Sequence, residues 1–360
     1  MDLQMDSVLF VGGSGVVGRT AVRWFRTYHP DIPVFIGGRN VDAAREVAQD
    51  VGGAEAIKID VMTPGLGIED LDPKAVVMLA PDPVLYGLRY AQDRQIPYVS
   101  IGTGLLEAGF EAAHFARRPD AAPVVLASQW SAGAATFLAL RAASFLDEVR
   151  SIRVGVVLDP DDPAGPAALE DMKRQQESGA AALVVRDGHR ELLSGAAGEA
   201  SVTSVDGRGL DAVAFSPLDI TSLHAATGAS DIQVNIATEV SSSHRRGEAI
   251  SAEIVVDVTG VQQGQPKNVR ASLEFAEGQA SLTGLLAVLS VSAVLGLGGN
   301  PPRAAGLYMP ELLMTPDEAL TKIRDAGGVI KTGEPTPVQG DRQPNDDDAI
   351  KQPRAASSHR

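Results

Sequence analysis

The sequence predicts an α/β protein: an N-terminal Rossmann doubly wound parallel sheet with an inserted α+β mixed-sheet second domain. Three observations predict it. Short apolar runs alternate with amphipathic stretches over the first third of the chain, a glycine-rich turn separates the first such pair, and after Arg150 the rhythm changes to period-two alternation. Strands alternating with helices imply parallel strands, because right-handed crossovers place the helices on the faces of the sheet.

The series begins with VLFVGG, a helical VVGRTAVRWFRTYH, VFIGGR and a helical DAAREVAQDVG. It continues through AIKIDV, AVVMLAP, a helical YGLRYAQDRQ, YVSIG and a last strand near Val124 to Ala127. From Arg150 to Phe275, SIRVGVVL, AALVVRD, ASVTSVD, DIQVNIA, AISAEIVVDVTGV and VRASLEFA read as strands. Helical pieces near Pro166 to Glu177 and Leu218 to Thr227 interrupt them. Ser281 to Leu297 reads as a helix, stopped by Gly298, Gly299, Asn300 and two prolines, and a final helix lies around Pro316 to Ala326. The expected units are a Rossmann domain over 1–133 and a substrate and dimerisation domain over 134–280. Helices over 281–332 return to the first domain, and 333–360, rich in Pro, Asp, Ser and Gln, form a disordered tail.

With 360 residues, two domains are the natural expectation. Hydrophobic residues are 44% of the chain and aromatics only 4%, so Val, Leu, Ile and Ala fill the core. The net charge of −15 disfavours nucleic acid and anionic membranes as partners, while a local basic pocket for a phosphorylated cofactor stays open. The absence of cysteine removes disulfides, thiolate zinc sites and cysteine nucleophiles. The longest apolar stretch is shorter than the ~20 residues that span a bilayer, and the acidic N-terminus lacks a basic leader. A cytoplasmic protein with a small-molecule substrate is expected.

Gly13, Gly15 and Gly18 satisfy G-x-G-x-x-G between the first strand and the first helix, with Ser14, Val16 and Val17 completing the turn. Gly13 is expected to take the tight turn, Gly15 to admit a pyrophosphate and Gly18 to let helix pack on sheet, with the anion on the helix's first free amides. About twenty residues on, an NAD enzyme usually carries an acidic residue for the ribose 2′-hydroxyl. Here stand Gly37, Gly38, Arg39 and Asn40, and a guanidinium suits a 2′-phosphate, so NADP is the expected cofactor. The alternative makes Arg39 a solvated turn residue. Asp60 and Val61 end the third strand, at the adenine edge or as a simple strand-end cap. Leu79, Ala80 and Pro81 end the fourth, Ser100 to Thr103 the fifth, and Ser128 to Gly133 the sixth. Ala80, Pro81, Gly102 and Trp130 are therefore assigned to the cofactor crevice, either facing nicotinamide or as polar loop tips.

The blocks GGSGVVG, GGRN, VVMLAPDP with QIPYVSIGTG, and the late apolar helix followed by GLYMPE resemble the saccharopine dehydrogenase-like family in its shorter, reductase-type architecture. The resemblance covers residues 1 to 140 and about 280 to 330 and is diffuse between. It implies a Rossmann domain completed by C-terminal helices, and NAD(P)-dependent chemistry at a carbon–nitrogen bond. Where family members often carry Asp after the tyrosine of the fifth strand, Tyr98 is followed by Val99 and Ser100.

Hydride transfer needs a donor for the charge developing on nitrogen or oxygen. His29, His244 and His359 sit in turn or tail contexts, and His189 follows an Asp-Gly turn. His224, in SPLDITSLHAATG with Asp219 five positions earlier, is the candidate catalytic residue, against the alternative of a solvent-facing helix histidine. Tyr86 and Tyr98 read as packing residues. Lys173 and Arg174 either meet a substrate carboxylate or form a solvated helix face. No His/Asp/Glu spacing suggests a metal, and no P-loop or nucleophile elbow occurs. The competing functions are an NADP-dependent oxidoreductase acting on an imine or amine, a non-catalytic NADP-binding regulator, and an aldehyde or semialdehyde reductase. The apolar face of AISAEIVVDVTGV suggests a homodimer.

Overall fold

The computed structural model describes residues 6–68, 70–102, 104–105, 107–165 and 181–338. The expected helix near Pro166 to Glu177, with Lys173 and Arg174, lies outside them, as do Thr103 and residues 339–360.

The first sheet takes β1 (Val8–Val11), β2 (Val34–Gly38), β3 (Ala54–Lys58), β4 (Ala75–Met78), β5 (Tyr98–Ser100) and β6 (Pro123–Leu126). Its helices are α1 (Val16–Tyr28), α2 (Val41–Val51), α3 (Tyr86–Arg94) and α4 (Ala108–Phe115). After α5 (Ala134–Ala143) come β7 (Glu148–Leu158), β8 (Ala182–Arg186), β9 (His189–Leu193), β10 (Glu199–Thr203) and β11 (Gly209–Phe215). There follow α6 (Asp219–Thr227), β12 (Asp231–Thr238), α7 (Ser242–Arg245), β13 (Ala252–Gln262) and β14 (Gln265–Phe275). The chain ends through α8 (Gly278–Leu295), β15 (Gly306–Tyr308), α9 (Pro316–Asp325), β16 (Val329–Thr332) and β17 (Thr336–Pro337).

The first sheet is parallel throughout, in the order β15-β6-β5-β4-β1-β2-β3. The order reverses between β1 and β4, and the crevice at the carboxyl ends of those strands is where doubly wound folds bind ligands. The second sheet runs β10-β11-β12-β7-β13-β14-β16 and is mixed: β7 and β12 are parallel, their other neighbours antiparallel.

Alternation along β1 splits the core. Val8 and Phe10 face a cluster that also takes Phe25 of α1, Leu138 of α5, Leu285 of α8, and Val154 and Val256 of the second sheet. Leu9 and Val11 face the other side with Leu88 and Tyr98. The helices α5 and α8 are thus a layer shared by both sheets, each large buried side chain contributing about 1.5–3 kcal/mol. In α8 runs the one helix, among the described residues, long and apolar enough to cross a bilayer, and 72% of it is buried inside the fold.

Helix α8 runs alongside α1 in the same direction. The Thr20 hydroxyl donates to the Ala280 carbonyl (3.0 Å), Trp24 Nε1 to Ser281 Oγ (3.1 Å), and His29 Nε2 shares a hydrogen bond with Ser292 Oγ (2.7 Å). Gly284 permits the approach, since a Cβ there would stand 2.7 Å from the Ala21 amide nitrogen.

Three expectations need correction. Residues 281–332 do not all return to the first domain: β15 joins the first sheet, but β16 pairs with β14 of the second. Residues 333–338, expected as disordered tail, continue along that strand, with Thr336 opposite Asn268 and Pro337 opposite Lys267. The edge of β14 offers unpaired amides and carbonyls that this segment satisfies. The apolar strip of β13 proposed for dimerisation is covered within the chain, where Val255 packs with Val202 and Leu210 of the β10–β11 hairpin.

Candidate active site

The turn between β1 and α1 is built on four glycines rather than three. Gly12 carries the left-handed backbone (φ 81°), not Gly13 as expected, and its amide donates to the Gly37 carbonyl at 2.7 Å, tying the loop to β2. A Cβ on Gly12 would lie 2.9 Å from Ala80 Cβ, so the glycine loop and the end of β4 nearly touch. Gly18 is buried with its Cα against the Gly13 backbone, where a Cβ would overlap the Gly12 carbonyl oxygen. Gly15 is exposed at the apex and begins α1 without a side-chain cap. The free amides of the helix's first turn, at Val16 and Val17, are therefore available to an anion.

Across the crevice, Gly38 faces Ser14, with a hypothetical Cβ 3.7 Å from Ser14 Oγ. Arg39 is exposed and has no ion-pair partner among the described residues. Asn40 is committed at one end: its Oδ1 accepts the Ala43 amide (3.1 Å) and caps α2. Asp60 accepts from the Met62 amide and the Thr63 hydroxyl, the strand-end cap reading, with Val61 half-buried beside it. On the other side, Pro81 and Gly102 are exposed, and a Cβ on Gly102 would sit 3.4 Å from the Ala80 carbonyl group. This convergence of backbone and absence of side chains fits a dinucleotide.

Trp130 is half-buried, its ring edge-on to Phe215 at 5.8 Å. Its amide donates to Asp219 Oδ2 (2.6 Å), while Asp219 Oδ1 accepts the Thr136 hydroxyl (2.7 Å). Burial pushes the Asp219 carboxyl up to about 6, against the two donors that favour its charge. Ser131 and Ala132 both hold left-handed backbone (φ 48° and 52°), costly for non-glycine residues, and Gln129 bridges Ser222 and Glu311. This buried polar knot fastens α6 to the end of β6. His224, five residues after Asp219 on the same helix, is exposed, and among the described residues its ring meets the Ala229 carbonyl, at 3.4 Å.

Sequence reasoning missed a second group. Asp159, directly after β7, is buried, and its Oδ2 accepts from the Ser241 amide (2.8 Å), the Ser241 hydroxyl (2.8 Å) and His244 Nδ1 (3.0 Å). Its Oδ1 accepts the Asp161 amide (3.0 Å). Burial alone would raise this carboxyl; the donors outweigh it and hold it below the ordinary carboxylate range. Asp159, Asp161 and His244 bring ligand atoms within 4.8 Å of one another, a cluster that chain spacing concealed. The same loop reaches the cofactor crevice. Asp162 Oδ2 accepts the Gln279 amide (2.8 Å) at the start of α8, and Gly165 lies against Val16, a hypothetical Cβ standing 3.6 Å from the valine side chain.

The strand order, the glycine turn and the inserted mixed sheet can be set beside known proteins. No family model and no curated protein matches the chain. Among solved structures, apo saccharopine dehydrogenase (L-Glu forming) from Saccharomyces cerevisiae superimposes with a TM-score of 0.62 at 14% identity, over 91% of this chain and 100% of that one. The chain has the saccharopine dehydrogenase fold. A looser likeness, with a TM-score of 0.45 at 11% identity, covers 90% of this chain and 97% of a myo-inositol dehydrogenase from Corynebacterium glutamicum. In this fold the glycine loop lies against the end of β4 at Ala80, Gly102 approaches the same residue, and the 159–165 loop meets the glycine turn at Val16.

Proposed function

We propose that the chain is an NADP-dependent oxidoreductase that transfers hydride at a carbon–nitrogen bond of a small amino-acid-like substrate. The observation that carries it is the glycine loop at the reversal of strand order, with Arg39 beside it, exposed and without an ion-pair partner among the described residues. The bound cofactor would supply the hydride and its electron pair; the residues do the rest. Gly12, Gly15 and Gly18 bring backbone close enough for the Val16 and Val17 amides to hold a pyrophosphate. Gly37 and Gly38 leave room beside Ser14, and Arg39 pairs with a 2′-phosphate. Ala80, Pro81 and Gly102 wall the reacting end. The carbon–nitrogen preference rests on the resemblance over residues 1 to 140 and the fold it predicted.

Fluorescence titration with NADPH and NADH tests the cofactor. Arg39→Ala should weaken NADPH binding roughly tenfold or more, the worth of a lost charge-assisted pair, and leave NADH unchanged. Gly38→Asp should swing preference toward NADH, because a carboxylate there repels the phosphate and accepts ribose hydroxyls. Equal weakening of both cofactors by Arg39→Ala would remove the 2′-phosphate assignment. Oxidation of NADPH in a panel of amines paired with 2-oxo acids tests the reaction. With the β13 strip covered, a homodimer would use the exposed Leu192 and Val213, and light scattering should read twice the 37.5 kDa chain mass.

A further inference from the structure

We propose that His244, oriented by Asp159, is the proton-transfer residue of this crevice. The inference deepens the hydride-transfer reading and rests on it. Asp159 is a preorganised anchor: four hydrogen bonds converge on its two oxygens, from the Ser241 amide and hydroxyl, the Asp161 amide and His244 Nδ1. A carboxylate so held fixes the imidazole with Nδ1–H inward, leaving Nε2 as the working nitrogen, the logic of an Asp–His pair in acid–base catalysis. The His244 side chain is 35% exposed while that of Asp159 is fully buried, so the imidazole reaches solvent from a dry anchor.

Placement carries the argument. Helix α8 contacts β4, β5 and the 130–133 turn, the half of the sheet opposite Arg39. Its first turn is held by Asp162, three residues after Asp159, and Gly165 of that loop touches Val16. On this proposal the loop after β7, which meets the first turn of α8 and the glycine turn, carries the dyad to the reacting half of the crevice. His224, on α6, has no such anchor.

The charged groups around His244 come from three places. Asp159, Asp161 and Asp162 lie on the loop after β7, Glu253 on β13 accepts the Ser242 amide, and Arg245 and Arg246 follow on the histidine's own short helix. Arg245 is paired with Asp206, and Arg246 with Glu248 and Glu274, so neither arginine is free to replace the imidazole. A divalent cation is the competing occupant of the Asp159, Asp161 and His244 group, but Asp159 already accepts hydrogen bonds at both oxygens.

In the reductive direction the imine carbon receives hydride, the C=N π pair moves to nitrogen, and the proton on His244 Nε2 completes the N–H bond. The imine becomes an amine, the bound cofactor would supply the hydride and its electron pair, and the neutral imidazole regains its proton from water.

The test maps carbethoxylation of each histidine by mass spectrometry after diethyl pyrocarbonate treatment of the full chain. NADPH at saturation should slow modification of His244 at least fivefold, whereas 2′-phospho-ADP-ribose, which lacks nicotinamide, should slow it less than twofold. Exposed His224 should react at the same rate throughout. Equal protection by both ligands, protection of His224 instead, or protection by Zn²⁺ but not by NADPH would overturn the proposal. If titration shows no NADPH binding, the cofactor reading fails and this inference falls with it; binding without protection sinks this inference alone. With any amine and 2-oxo acid pair turned over, His244→Gln should lower kcat about a hundredfold and abolish one limb of the pH profile. NADPH affinity should stay within twofold. Asp159→Asn, acting through the histidine, should lower kcat with the limb retained.

Discussion

Gly18→Ala should abolish NADPH binding and lower the melting temperature together. A Cβ at this position overlaps the Gly12 carbonyl oxygen and lies 2.7 Å from the Gly13 Cα, all of it backbone that cannot swing aside as a side chain would. Either α1 moves off the sheet or the loop that presents its amides is displaced. The first route disturbs the packing of Ala21, Val22 and Phe25, all buried; the second destroys the anion site. Overpacking of this severity belongs at or above the upper end of the usual range, about 3 kcal/mol, and should cost on the order of 5 to 10 °C. Gly15→Ala is the contrasting variant. Its backbone is ordinary (φ −73°), and a Cβ there meets only the Gly12 carbonyl oxygen, at 3.2 Å. It should fold with wild-type stability and still bind NADPH at least tenfold more weakly, because the new methyl stands where backbone must approach phosphate. Calorimetry and fluorescence titration of the pair separate the two roles. A Gly18→Ala variant of unchanged stability would mean that α1 does not pack as described.

The second large effect concerns Asp219. Its carboxyl is fully buried and titrates near 6 in the fold, chiefly through burial, against 3.8 as the ordinary value. With the folded value above the unfolded one, the folded chain holds the proton more tightly. As pH rises from about 4 to about 6, the unfolded chain releases a proton that the fold retains, so this group's contribution to stability declines. The full loss is about 3 kcal/mol once both values are passed. Asp219→Asn keeps an acceptor for the Trp130 amide and offers a donor to the Thr136 hydroxyl, without a charge to desolvate. Relative to wild type it should gain stability progressively between pH 4 and pH 6.5 in urea unfolding. A difference that is flat across that range would mean that Asp219 ionises in the fold as it does in water.

Features written in contiguous residues were legible. The glycine turn and GGRN needed no partner from elsewhere in the chain, and the βαβ rhythm disclosed the strand series. The helix expected from Leu218 to Thr227 appears as α6 with nearly those bounds. Long-range placement was not legible. Asp159 and His244 stand 85 residues apart, and neither VVLDPDDP nor VSSSHRR carries a local pattern that points to the other. The left-handed Ser131 and Ala132 were invisible because nothing in WSAG but its glycine favours that conformation, which the tertiary frame imposes. Strands as short as β15 and β17 escape periodicity altogether; they form because an edge with unpaired amides was waiting. Helix α5 was missed for the opposite reason. It is buried almost all round, so ATFLALRAA shows no polar face.

The parallel seating of α8 on α1, with β15 closing the first sheet, has a consequence for biosynthesis. The turn that presents amides to the cofactor leaves the ribosome ahead of the whole inserted domain, whereas the helix that covers α1 and the strand that completes the sheet follow only after it. At ordinary elongation rates of roughly 5 to 20 residues per second, that interval is on the order of ten to sixty seconds. Throughout it the face of α1 carrying Trp24 and Thr20 stays open to solvent or to a chaperone. The nascent chain therefore possesses a nucleotide loop long before it possesses a nucleotide-binding protein.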